Sequence, residues 1–424
     1  MIFKVIWWSV KIIAVCFLVA IISNQEGITE IEWIGWKMEV PTSILIGGLI
    51  ILILIILWIY NLWKIILNLP SKIFRIIREN RQKNGYNALA YGLVASSAGD
   101  VESAQKYAAQ AKRLLDNKEL TEMLSAHAAH LSGDKNAALE YFNSLSERKN
   151  TKFHGQLGLM RLAIESNNHD EALNRARIAS NIQPRNPKLN SMLVIMEAKH
   201  ENYEKSIEAL QKARRIGSIE ETRAQQLAAS LYTKIGLKKL EENELNEAEK
   251  SLSLALREKT DFIPAVIALS KILIGKENQR KALSLLTKTW KVQPHPEIAK
   301  TLKLIWKNER SSSNIANLIN LTDENAKAQA RYIIADEAIS AGLAGEAKDQ
   351  LNKVLSEEYN TTYYQLKSRL AFKSDDKTTS NQELEKALNA PPSQRWGCSS
   401  CGITAETWEI RCNNCDKIGT LNWI

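Results

Sequence analysis

Four of the chain's five cysteines stand close together, as Cys398-Ser-Ser-Cys401-Gly402 and Cys412-Asn-Asn-Cys415. Two Cys-x-x-Cys knuckles present four thiolates, and the two-residue spacer lets the backbone turn around one edge of a tetrahedral ion. The fifth, Cys16, sits in an apolar stretch, and residues 85–390 contain none. That distribution excludes a disulfide framework and points to a reducing compartment holding one metal site. The candidate metal ligands are Cys398, Cys401, Cys412 and Cys415. Zn²⁺ in a closed structural site is the expected cofactor, and Fe is compatible with the same four sulfurs. Gly402 suits the turn of the first knuckle, and the ten residues between Cys401 and Cys412 read as a hairpin. Trp408 and Trp423 are expected to cover the site, because so short a segment has little core of its own.

No other constellation points to chemistry. The six histidines are His127, His130, His154, His169, His200 and His295. His127 and His130 lie three apart on a helical pattern, but no Cys or carboxylate motif accompanies them. The chain contains no phosphate-binding loop, dinucleotide fingerprint or nucleophile elbow. The net charge is +9, yet Arg175, Arg177, Arg214 and Arg215 are scattered among glutamates and lack the interleaved aromatics of a nucleic-acid platform. The reading is of a non-enzymatic protein that does not bind nucleic acid.

The elements that position the cysteines are helical. With 45% apolar residues, 9 Pro and 18 Gly in 424 residues, the composition leans to helix. Turn pairs recur at a fixed interval: Gly99–Asp100, Gly133–Asp134, Asn167–Asn168 and Glu201–Asn202 are 34 residues apart, with small residues Ala104, Ala138 and Ala172 following. The register then slips by eight residues to Asn243, and Glu277–Asn278 comes 34 later. A looser unit turns at Gly342, and a last helical pair covers 361–372 and 381–388. Each unit is two antiparallel helices, with small residues such as Gly92 and Gly236 where backbones approach and Pro184 and Pro294 closing units.

The other end is apolar. Ile44–Leu67 is long and uncharged enough for a transmembrane helix, and 2–22 reads as a weaker span interrupted by Lys4 and Lys11. Lys11 costs roughly 2.5–3.5 kcal/mol near a bilayer centre. A cleaved signal peptide is the rival reading, but Ile21-Ile22-Ser23-Asn24 offers no small-x-small site. The loop 23–43 carries four Glu against Lys37, whereas 64–83 carries Lys64, Lys72, Arg75, Arg78, Arg81 and Lys83 against Glu79. By the positive-inside rule the loop faces out and both termini face the cytoplasm. The basic segment 68–84 is expected to lie along anionic headgroups.

The small residues at fixed positions resemble the tetratricopeptide repeat over about residues 85–390, which implies a right-handed superhelix whose concave groove takes peptides or proteins. Two spans joined by Ile31-Glu-Trp33-Ile-Gly-Trp36, then Gly85-Tyr-Asn-Ala-Leu-Ala-Tyr-Gly92, Ala98-Gly-Asp100 and Leu157-Gly-Leu-Met-Arg-Leu162, are similar to the HemY family of bacterial inner-membrane tetratricopeptide proteins. That resemblance implies an inner-membrane location and a link to late protohaem synthesis, with tetrapyrrole-pathway enzymes as partners. The tail resembles the rubredoxin-like module of the LapB family, which implies regulation of lipopolysaccharide synthesis as the alternative; LapB proteins have one span. The expected fold class is mostly α: two N-terminal transmembrane helices, a tetratricopeptide-like α-solenoid, and a four-cysteine zinc-ribbon or rubredoxin-like module. The expected domains are a membrane anchor over 1–84, repeats over 85–390 and the metal module over 391–424.

Overall fold

The computed structural model describes residues 27–307, 310–323 and 326–424, together with Ile13, Phe17, Ala20 and Ile21. The expected first span, with Lys4, Lys11 and Cys16, otherwise lies outside the described residues. The chain divides into two compact units, Met1–Ala138 and Leu139–Ile424.

In the first unit, strands β1 (Ile28–Trp33) and β2 (Trp36–Pro41) form an antiparallel hairpin. The connection that follows the expected first span thus contains a strand pair. Ile31, Trp33 and Met38 alternate with Glu30, Glu32 and Lys37, which is the period of a strand. Ile34 (φ 48°) and Gly35 (φ 83°) make the two-residue left-handed turn that matches strand twist. The ends are pinned at the next helix, where Thr42 N–H and Oγ1 both donate to the Gly27 carbonyl at 2.9 and 2.7 Å.

Helix α1 (Thr42–Ala98) runs unbroken for 57 residues. Its stretch Thr42–Lys64, of mean hydropathy 2.9, is the one candidate membrane span among the described residues. The basic segment 68–84 is part of this helix. Its last turns pack on α2 (Val101–Leu114) and α3 (Lys118–Leu131) through Ala88, Ala95, Ala104, Ala108, Ala111, Leu124 and Ala128. Gly92 is needed there, since a Cβ would lie 2.6 Å from Leu124 Cδ2.

Helix α4 (Lys135–Glu147) crosses from one unit to the next. The second unit continues with α5 (Lys152–Glu165), α6 (His169–Ile182), α7 (Pro187–Lys199), α8 (Tyr203–Arg215), α9 (Glu221–Glu241), α10 (Leu245–Glu258), α11 (Ile263–Gly275) and α12 (Gln279–Val292). Beyond these come α13 (Pro296–Ile305), α14 (Ser311–Asn320), α15 (Ala328–Ser340), α16 (Ala344–Asn352), α17 (Thr361–Lys373) and α18 (Lys377–Asn389). Sequential antiparallel pairing dominates, and the shared cores are built on fully buried alanines such as Ala172, Ala248 and Ala282 with Leu210, Leu252 and Leu286.

The turn pairs explain the spacing. Gly99, Gly133, Asn167, Glu201, Asn243, Glu277 and Gly342 all have φ between 54° and 80°. Each reverses the chain through a left-handed residue, and the next residue opens the following helix. Asp100, Asp134 and Asn168 cap it by accepting a backbone N–H at 3.0–3.2 Å. The eight-residue slip has a physical source: α9 starts in register but is 21 residues long, against 13 for α7 and α11. The scattered arginines tie helices together: Arg177 forks onto the buried Glu197 at 2.7 Å through both nitrogens, and Arg214 bridges Glu221 and Glu258.

Glu201 and Glu277 occupy left-handed turns that favour glycine. Glu277→Gly should therefore raise stability by about 0.5–1 kcal/mol. Urea unfolding of the full chain checks this, and a loss of stability would contradict it.

Candidate metal centre and its dock on the repeats

The C-terminal module is a three-stranded antiparallel sheet, β3 (Trp396–Cys398) between β4 (Thr404–Ala405) and β5 (Leu421–Trp423). The ten residues after Cys401 form no hairpin of their own; 404–405 pairs back on β3 and the following residues dock on the helices. The two knuckles have the same backbone plan. Gly402 N–H donates to the Cys398 carbonyl and Asp416 N–H to that of Cys412, both at 2.9 Å. Cys398 N–H donates to Ile403 and Cys412 N–H to Lys417, again both at 2.9 Å. Each loop closes on a left-handed residue, Gly402 (φ 73°) and Asp416 (φ 58°).

This plan brings the four sulfurs within 4.8 Å of one another, and no other His, Cys, Asp or Glu group of three or more gathers this way among the described residues. Cys398 and Cys415 Sγ are 3.7 Å apart, as are Cys401 and Cys412 Sγ. A disulfide would need about 2.05 Å. An ion with four sulfurs at about 2.3 Å would set them about 3.8 Å apart, the edge of a regular tetrahedron. The donor set therefore fits a tetrahedral thiophilic cation. The electrostatics agree. Burial raises the Cys398 thiol, but contact with Thr420 and the N–H groups of Cys401 and Ser400 outweighs it and brings the pKa down to about 6. For Cys415 the N–H of Lys417 favours the thiolate, but burial and the crowding thiols prevail and push it up to about 11. Four sulfurs this close cannot all ionise without a cation between them.

The module is held on the first helix of each successive pair. Arg223 on α9 donates from Nη1 to the Gly419 carbonyl and from Nη2 to the Ile418 carbonyl, both at 2.6 Å. Ile410 and Ile418 enter the core formed by Leu227, Leu231 and the α7–α8 residues. Lys199 on α7 pairs with Asp416, and Lys234 on α9 with Glu409 at 2.6 Å. Trp408 packs edge-on against Phe262 with centroids 5.4 Å apart and also borders the sulfur cluster. Trp423 does not cover the sulfurs; its ring packs on His295, 4.2 Å away, and on Trp396. Sequence reasoning missed Arg223, Lys234 and His295, because nothing local marks a helix residue whose partner is some 130–200 positions away.

Fold and site together define a helical-repeat protein of the tetratricopeptide type bearing a four-cysteine knuckle module. Residues 27–133, a quarter of the chain, match the family model described as HemY protein N-terminus. The probable magnetosome protein Mms48 of Magnetospirillum gryphiswaldense is 28% identical over 102 residues, 24% of this chain and 23% of that protein. The chain thus spans about a quarter of the length of the curated relative it matches. Among solved structures, the Naa15/Naa10 complex bound to HypK-THB aligns over 72% of this chain and 63% of that one, at 10% identity and TM-score 0.36. The tetratricopeptide protein YrrB, whose structure is described as having an unusual peptide-binding site, aligns over 45% and 96%, at 20% identity and TM-score 0.28.

Two outcomes follow from the dock. Arg223→Ala leaves two carbonyls short of a charged donor and should cost about 2–4 kcal/mol. Hydrogen exchange at residues 410–419 should accelerate, with Arg223→Lys intermediate because one ammonium cannot serve both carbonyls in a plane. Unchanged exchange would show that the fork does not hold the module.

His295 gives the second. Burial pulls its pKa from the ordinary 6.5 down to about 4. Between those values the unfolded chain binds a proton that the folded one refuses, so stability falls as pH drops from 6.5 towards 4. The loss is bounded at about 3.5 kcal/mol. His295→Phe keeps a ring there without the proton, and should show a shallower loss between about pH 7 and about pH 5. Parallel slopes in the two proteins would remove His295 as the cause, since thiolate protonation is common to both.

Proposed function

We propose that the chain is a two-pass inner-membrane scaffold, with repeats and metal module in the cytoplasm, that gathers enzymes of late protohaem synthesis. The observation that carries the pathway is the match of residues 27–133 to the HemY N-terminus. The scaffold role is supported by helix pairs on a 34-residue turn spacing, and by a span-length apolar stretch at Thr42–Lys64. The orientation is supported by the acidic hairpin on one side of that stretch and the basic residues 64–83 on the other. In this reading the protein works through what it assembles and carries out no reaction itself.

Cys398, Cys401, Cys412 and Cys415 would hold Zn²⁺, whose contribution is structural: it neutralises the crowded thiolates and ties the two knuckles to one point. The anchor over 1–84, repeats over 85–390 and module over 391–424 are the proposed functional divisions.

The four-cysteine module favours a second reading, LapB-like control of lipopolysaccharide synthesis. Affinity capture of the full-length protein from membranes, with metal analysis of the same sample, separates the two. The scaffold reading expects ferrochelatase or a neighbouring enzyme in the capture, stoichiometric zinc, and porphyrin accumulation on deletion. Altered lipopolysaccharide with normal porphyrins would favour the second reading, and iron with ferric-thiolate absorption would replace zinc.

A further inference from the structure

A cavity of about 630 Å³ lies where α9, α10, α11 and the four-cysteine module meet. We propose that it is a docking site for an extended apolar peptide segment of a partner protein. The proposal rests on the scaffold reading but not on the pathway.

Its walls come from two sources. The helices supply Leu237, Leu240, Leu245 and Ile267, and the module supplies Trp396 and Trp408. Leu237 and Leu240 belong to the last two turns of α9, the part that exceeds the length of its neighbours. Those same turns carry Lys234, which pairs with Glu409 and lies 5.6 Å from the Trp408 ring centroid. The departure from the 34-residue register thus builds one wall and fastens the other.

Three features choose a peptide. The volume suits two or three large side chains and their backbone rather than a single one. The rim carries Lys271 and Lys276 with Glu297 and Glu406, two charges of each sign, which matches a polypeptide and not an anionic headgroup. Two buried nitrogens of residues in the wall, His295 Nε2 and Trp408 Nε1, have no hydrogen-bond partner. His295 Nδ1 accepts the Glu297 N–H, so in the neutral ring Nε2 carries the hydrogen and both orphans are donors. Neither faces the cavity as the rings stand, and each gains an acceptor oxygen only as an occupant turns its ring. Peptide carbonyls recur along an extended segment, whereas an acyl chain has none along its length.

Because Trp396 and Trp408 flank and follow the first knuckle, the site exists only while the module is docked and its cysteines are tied. The test uses the full-length, zinc-loaded protein in detergent, with random dodecamer peptides displayed on phage as the probe. Selected peptides are synthesised and their affinities measured by fluorescence anisotropy against two variants. Gly275→Trp places an indole at the lining, at an exposed position where an added Cβ meets nothing within 4 Å. Leu245→Asp sets a charge on an exposed wall residue.

Selected peptides should carry clustered large apolar residues, and should lose at least about tenfold in affinity to both variants and on removal of zinc. The proposal is overturned if selection enriches nothing, if the peptides bind both variants as tightly as the wild type, or if a fluorescent fatty acid takes the site and no peptide does. Membrane capture that still recovers the same enzymes with Gly275→Trp would leave the scaffold standing and sink the cavity as its docking point.

Discussion

The carbonyls of Ile418 and Gly419 find one guanidinium, and the arrangement around the sulfur cluster depends on it. They follow the second knuckle directly, at a left-handed Gly419 (φ 63°) where the chain leaves the loop for β5. A buried carbonyl without a donor costs on the order of 1–3 kcal/mol. Arg223 supplies two donors in one plane, a geometry that a lysine cannot reproduce. Burial works against the cation, lowering its pKa, while the nearby Cys398 favours it. A divalent ion with four thiolates carries a net negative charge, so the site that needs Arg223 for its backbone also compensates its charge. The helices from Leu139 onward and the metal module lie in the same compact unit.

What was legible in the sequence was whatever repeats or clusters. The turns at Gly99, Gly133 and Asn167 use residues that tolerate φ > 0, and their followers Asp100, Asp134 and Asn168 are capping types, so two local rules agree at each position. The four cysteines were equally plain, because knuckle spacing is itself a geometric statement. Glu201 and Glu277 break the local rule, and only the 34-residue count reveals them as turns. The dock was not legible. Arg223 looks like any helix arginine, and His295 like a residue before Pro296, until the module places two carbonyls against one and two indoles against the other. Such contacts are long in sequence and leave no periodic trace.

At the N-terminal end the structure adds detail that charge counting does not carry. Glu30, Glu32 and Glu39 alternate with Ile31, Met38 and Val40, and that alternation is a strand pair. The basic segment 68–84 runs inside one helix that enters at Thr42 and is still packed at Ala95.

The eight-residue slip in the repeat register is the point at which the two themes meet. Eight added residues are about 2.2 turns of 3.6, so the insertion lengthens α9 and also rotates its face by about 80°. Within the lengthened part Gly236 still packs on Leu252, where a Cβ would lie 2.7 Å from Cγ. The insertion also changes reach: Lys234, Leu237 and Leu240 extend past the end of an ordinary unit towards the module. An insertion in a loop would have been free to move, whereas one inside a helix is rigid and makes a defined wall. The interruption of the repeat is then where this solenoid departs from regular 34-residue units, and where the proposed docking cavity lies.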